Sequence, residues 1–206
     1  MIRTAVFAVA VVVVAACLAV AVIGRVQTTA SPQGGGAIAL GGRSTIGTPL
    51  LPAGDTAEGG HGKPVAGVRC DPMEGARYHV HAHLSVFVNG RQIAVPQNVG
   101  IAPLSDDSDP ELCYYWLHTH DASGVIHVES PGRSAFVLGD FFRVWGRPLD
   151  ANRIGPFRGA VSALVDGRPY HGDPARIPIV AHTQITLEVG VPVVAPAPAY
   201  SFPPHS

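Results

Sequence analysis

The 206-residue chain predicts a mainly β domain, an antiparallel β sandwich or open barrel with one short covering helix, behind an N-terminal transmembrane segment. Three observations predict the domain. Alternating apolar segments meet at Asn89-Gly90 and at Asp166-Gly167, dipeptides that suit a two-residue hairpin turn because both residues tolerate positive φ. A last alternating run, Gln184 to Val189, puts Ile185, Leu187 and Val189 on one face. One stripe at helical spacing, Leu138, Phe141, Phe142 and Trp145, interrupts the β pattern.

The chain divides into four parts. Residues 5 to 23 are apolar without a break, and about 19 such residues span roughly 29 Å as a helix, close to a bilayer's hydrocarbon core. Residues 1–25 are therefore expected to be a membrane anchor or signal segment. Val14-Ala15-Ala16-Cys17 also fits a bacterial lipobox, and a cleaved signal is the third possibility. All three send the remainder out of the cytoplasm, to the periplasmic or extracellular side of a bacterial membrane. Residues 26–67 hold Gly34-Gly35-Gly36, Gly41-Gly42 and Gly59-Gly60 and no Phe, Tyr or Trp. They bury too little apolar surface to offset chain entropy, so a flexible linker is expected. The folded domain is placed at 68–194. A tail at 195–206, with prolines at 196, 198, 203 and 204, reads as extended.

Within the domain the elements follow in order. His79 to Val88, Asn89-Gly90 and Arg91 to Val95 form the first expected hairpin, closed off by Pro96. Tyr114 to His120, Asp121-Ala122-Ser123-Gly124 and Val125 to Glu129 form the second. The helix over Leu138 to Trp145 begins with Asp140 at the positive end of its dipole and stops at Gly146 and Pro148. Its apolar stripe is expected to pack on a sheet. Val161 to Val165 and Arg168 to Tyr170 flank the second two-residue turn, and Gln184 to Val189 is the last strand.

Two cysteines lie beyond the apolar segment, Cys70 and Cys113. In an oxidising compartment they are expected to pair, closing a loop of about 44 residues worth about 3 to 4 kcal/mol. Cys70 precedes the first histidine strand and Cys113 precedes His118, so the bridge would hold the starts of both histidine segments together. The net charge of −1 carries no basic patch, which excludes nucleic acid as a partner class. No nucleophile motif or phosphate loop is present in the sequence.

Six of the ten histidines fall between positions 79 and 127. His79, His81 and His83 alternate along one strand and therefore share a face, with Val80, Ala82 and Leu84 on the other. His118, His120 and His127 follow, with Glu129 close behind. Imidazole is the commonest side-chain ligand for transition metals, and imidazoles beside a carboxylate suit zinc or copper(II) more than calcium. The candidate metal ligands are His79, His81, His83, His118, His120 and His127. Asp121 and Glu129 are candidates to orient a bound water. The second cluster depends on hairpin register. Asp-Ala-Ser-Gly suits a type I turn with a bulge at Gly124, which sets Thr119 opposite His127 and turns His127 away from His118 and His120. A two-residue turn sets His118 opposite His127 and gathers all three.

Histidines at i and i+2 on one strand, with a third from a neighbour, resemble the zinc site of α-type carbonic anhydrases in their spacing, with His81, His83 and His127 as the matching residues. His127-Val128-Glu129 with His118 or His120 is similar to the two-histidine, one-carboxylate iron site of cupin-like oxygenases. The segments HVHAHLSVFVNG, LHTHDASGVIHVESP and LGDFFRVWG together resemble a group of small bacterial exported proteins with no assigned activity, over residues 78 to 190, which implies that the histidine segments belong together. The expected function is a membrane-tethered extracytoplasmic protein binding zinc or copper(II). The alternatives are a zinc enzyme activating water for hydration or hydrolysis, and a cell-envelope interaction module with pH-sensitive surface histidines. His182 is a further possible ligand, while His171 reads as exposed.

Overall fold

The computed structural model describes residues 62–74, 77–104, 111–193 and 199–203. The expected membrane segment at 1–25, residues 26–61 of the expected linker, and residues 195–198 and 204–206 of the tail lie outside them. The described elements are β1 (Cys70–Asp71), β2 (Tyr78–Val88), β3 (Arg91–Ile93), β4 (Ile101–Pro103), β5 (Leu112–Tyr115), β6 (Leu117–His118), β7 (Val125–Ser130), α1 (Leu138–Val144), β8 (Leu149–Asp150), β9 (Arg153–Ile154), β10 (Phe157–Arg158), β11 (Val161–Val165), β12 (Arg168–Tyr170) and β13 (Gln184–Val189). The protein is mainly β with one α-helix among the described residues, as expected.

The largest sheet runs β12-β11-β13-β2-β7-β6, and β3 adds to β2 beyond the end of β7. Two three-stranded sheets flank it, β1-β5-β4 and β10-β9-β8. Both expected two-residue turns form: Asn89 and Gly90 have φ of 50° and 73°, and Asp166 and Gly167 have 50° and 74°. These are the left-handed values that a type I′ turn demands. One expectation of pattern fails, because the central pair β2–β13 is parallel, with Gln184 beside His83 and Val189 beside Val88. These strands are far apart in the chain, so no hairpin ties their direction, and alternation is the same for either sense. The sheet is therefore mixed.

Alternation sorts the main sheet's two faces. Ala82, Leu84, Val86, Leu117, Ile126 and Val128 are buried in one apolar cluster with Leu138, Phe141, Phe142 and Trp145 of the helix segment. The i, i+3, i+4, i+7 stripe thus packs into the core as expected. Burying each of those large side chains is worth about 1.5 to 3 kcal/mol. The Asp140 carboxylate accepts from the Val137 N–H at 3.0 Å, closing the helix start, and pairs with Arg143. The opposite face carries His79, His81, His83, His118, His127 and Glu129.

The folded region passes both expected boundaries. Val65 and Val68 form a two-way backbone bridge, and the Tyr115 hydroxyl donates to the Lys63 carbonyl, so the domain begins inside the expected linker. At the other end Gln184 grips the backbone of Tyr200 through both its amide atoms, and Tyr200 is buried. Proline content concealed that contact.

Cys70 and Cys113 form the expected disulfide, joining β1 to β5 within one sheet. Reduction is expected to cost about 3 to 4 kcal/mol of stability. Urea unfolding with and without a phosphine reductant measures it, and coincident midpoints would contradict the assignment.

Candidate metal centre

Strand pairing assembles the site. On β2 and β7, His79 lies opposite Glu129 and His81 opposite His127. On β6 and β7, His118 lies opposite His127. Directly opposed residues in an antiparallel pair project from the same face, so His79, His81, His118, His127 and Glu129 converge. The register is therefore the one that gathers the second cluster; residues 122–123 still turn and Gly124 has φ of +89°, but this turn lies in a loop beyond the β6–β7 pairing and does not set its register. The reason lies in Thr119. Its hydroxyl donates to the Pro96 carbonyl and accepts from Val99 N–H, while its backbone N–H and C=O bond Val99 and Asn98. That pulls the chain off β7 after His118, and the connection to Val125 becomes a wide loop. Within it Asp121 accepts from Ser123 N–H, and the Gly124 carbonyl accepts from Leu84 N–H. A side chain at Gly124, whose φ is +89°, would collide with the Leu84 carbonyl.

The donor atoms close on one another. His79 Nε2 and His81 Nε2 are 2.9 Å apart, and His81 Nε2 and His127 Nδ1 are 3.0 Å apart. His118 Nε2 and His120 Nε2 are separated by 3.1 Å. Glu129 Oε1 sits among them, 3.1 Å from His79 Nε2, 3.4 Å from His127 Nδ1 and 3.9 Å from His118 Nε2. Donors held about 2.1 Å from a metal lie roughly 3.0 Å apart at a right angle and roughly 3.4 Å apart at a tetrahedral one. Two sets have all their donor atoms within 4.8 Å of one another: His118, His120, His127 and Glu129, and His79, His81 and His127. These His/Glu groups can hold a metal ion.

Several neighbours fix the rings. His118 is fully buried, and its Nδ1–H donates to the Tyr115 carbonyl at 2.8 Å, which turns the Nε2 lone pair toward the cluster. Beyond His120, 3.1 Å away, stands Glu74. Nothing in the sequence pattern marks Glu74; it arrives because it lies just past Cys70, whose disulfide fixes β1 beside β5. The His79 and His120 side chains are 45% and 39% exposed, against 4% for Glu129, so the cluster opens to solvent through these two rings. His81 Nδ1 is buried with no hydrogen-bond partner among the described residues.

Burial sets the charge state. It lowers His118 and His81 to about 4, with nearby imidazoles adding to the effect for both. His127 falls to about 2, through burial first and then His81, His118, His120 and His79. Burial, and then the neighbouring Glu74 carboxylate, raises Glu129 to about 7, with His120 pulling in the opposite direction. At neutral pH these three rings are therefore uncharged, with lone pairs available to a cation.

Two expected site residues stand elsewhere. His83 is buried, with Nε2 2.9 Å from the Ser123 carbonyl and its ring stacked on Tyr200 at 4.5 Å. It belongs to neither donor set, so the carbonic-anhydrase-like trio of His81, His83 and His127 does not assemble. Asp121 is exposed and is engaged by the Ser123 N–H instead of facing the cluster. His182 donates its backbone N–H to the His81 carbonyl, its ring stacks on Phe202, and it joins neither set. No protein-family model, curated protein or solved structure matches the chain.

Proposed function

We propose that the protein is a membrane-tethered extracytoplasmic transition-metal-binding protein whose cargo is zinc or copper(II). The observation carrying this reading is the convergence of five imidazoles and one carboxylate, at 2.9 to 3.9 Å along the series of neighbouring donors, on the sheet face opposite the apolar core. Nitrogen donors with a single oxygen favour zinc or copper(II) over the oxygen-seeking calcium and magnesium. The Cys70–Cys113 disulfide supports an oxidising compartment, and the apolar run at 5–23 supports a single-pass tether.

Elemental analysis of the full chain, purified without an affinity tag or added metal, tests the reading. At least about one zinc or copper ion per chain is expected, lost in the His81→Ala/His120→Ala/His127→Ala variant. Absence of metal, with no uptake on titration by either ion, would refute it. A second reading, a zinc-activated water with Glu129 as proton acceptor, is favoured by that carboxylate's position among the donors and its value of about 7. Zinc-dependent ester hydrolysis or carbon dioxide hydration, absent in Glu129→Gln, is its expected sign.

A further inference from the structure

We infer that the cluster is a two-ion centre, in which a pair of adjacent transition-metal ions is held by two ligand sets that meet at His127, whose Nδ1 serves one ion at a time. This rests on the metal-binding reading and deepens it. The first ion is assigned to His79, His81 and His127, and the second to His118, His120 and Glu129, with His127 within reach of both.

Donor number and donor reach carry the inference. Six side chains present donors here, whereas zinc and copper(II) sites built on imidazole take about four protein ligands or fewer. One six-coordinate ion does not resolve the excess. Donors around a single ion with bonds of about 2.1 Å cannot lie more than about 4.2 Å apart. The six do not fall into one mutually close group even at 4.8 Å; they divide into two sets that overlap at His127. Each set has its own short donor contact, His79 with His81 at 2.9 Å and His118 with His120 at 3.1 Å.

The strand arrangement explains the division. His79 and His81 descend from β2 on one side of β7, and His118 comes from β6 on the other, with His120 just past it. Strand β7 supplies His127 and Glu129 between them. The His127 ring centroid lies 4.3 Å from that of His81 and 4.5 Å from that of His120, edge-to-face with each. Glu129 Oε1 touches donors of both sets, His79 Nε2 and His127 Nδ1 on one side and His118 Nε2 on the other. A carboxylate so placed reduces the repulsion between two cations. Each set also has its own solvent-reaching ring, His79 for one and His120 for the other.

Titration of the metal-free full chain with copper(II), followed by elemental analysis and electron paramagnetic resonance, tests the pair. Two tightly bound copper ions per chain are expected. The second equivalent should broaden the isolated-ion signal and add a half-field line from spin coupling. His79→Ala and His120→Ala remove solvent-reaching rings and so leave the core packing in place. Each is expected to bind one ion, with the coupled signal gone. One ion in the wild-type chain, abolished by either substitution, would overturn the pair and leave the metal-binding reading standing. No copper and no zinc in the wild-type chain would overturn both.

Discussion

Acidifying the metal-free protein from about pH 7 to about pH 4.5 is expected to lower its melting temperature by about 10 °C or more. The cause is burial of neutral histidines. His83 and His118 are nearly inaccessible and are lowered to about 4 in the folded chain, chiefly by burial, against 6.5 when unfolded. Between these values the unfolded chain binds protons that the folded chain refuses, so stability falls as the pH drops below about 6.5. Each of the two contributes a loss of about 2.5 kcal/mol by pH 4.5. Glu129 acts in the opposite sense. Its folded value of about 7 lies above the unfolded 4.5, so it adds about 3 kcal/mol on acidification through the same window. The three together leave a loss of about 2 kcal/mol, and His81 and His127, also lowered, deepen it. For a domain of this size about 1 kcal/mol moves the melting temperature by roughly 3 to 5 °C. Stability should accordingly rise up to about pH 7 and level off above it, because proton uptake by the unfolded histidines outweighs the proton that Glu129 holds in the folded chain. Melting curves across pH in the presence of a chelator measure this. A melting temperature that is flat or rises on acidification would show that the histidines are not buried as described.

Replacing His127 with alanine is expected to weaken zinc binding by about 100-fold or more, the largest loss of any single histidine. Its ring alone belongs to both donor sets. A structural zinc site with four ligands is worth about 10 to 16 kcal/mol, so each ligand carries roughly 3 kcal/mol, equal to about 100-fold in affinity. His171, exposed and in neither set, serves as the control and should tolerate alanine without change. Competition of each variant against a chromophoric zinc chelator gives the affinities. Equal affinity for His127→Ala and wild type would mean that the ligands lie elsewhere.

The site was legible in the sequence as a set of residues and illegible as an arrangement. Period-two spacing put His79, His81 and His83 on one face, and that holds. It could not show that His83 would be covered by Tyr200, held there by Gln184 from the neighbouring β13. Gln184 reaches that place because β13 runs parallel beside β2, a pairing that no local pattern encodes. The second cluster turned on one residue of register. The turn residues favoured the arrangement that scatters it, and Thr119's bonds to Pro96, Asn98 and Val99 selected the other. Those partners lie about 20 residues upstream, so the deciding energy was not local.

By itself, then, the chain's sequence determined whatever depends on neighbours along the backbone. The two-residue turns at Asn89-Gly90 and Asp166-Gly167, the stripe of α1, the alternation of β2 and β13, and the chemistry of a histidine-rich face all follow from φ preferences and side-chain periods. The pairing of Cys70 with Cys113 followed from their being the two cysteines beyond the apolar run. Only the tertiary structure decided which histidines meet, because that depends on the offsets of β2, β7 and β6 across the sheet. It excluded His83 and Asp121, brought in Glu74, and placed Glu129 at the centre. These are contacts between segments distant in the chain, and they become fixed when the opposite face of the sheet buries its apolar side chains.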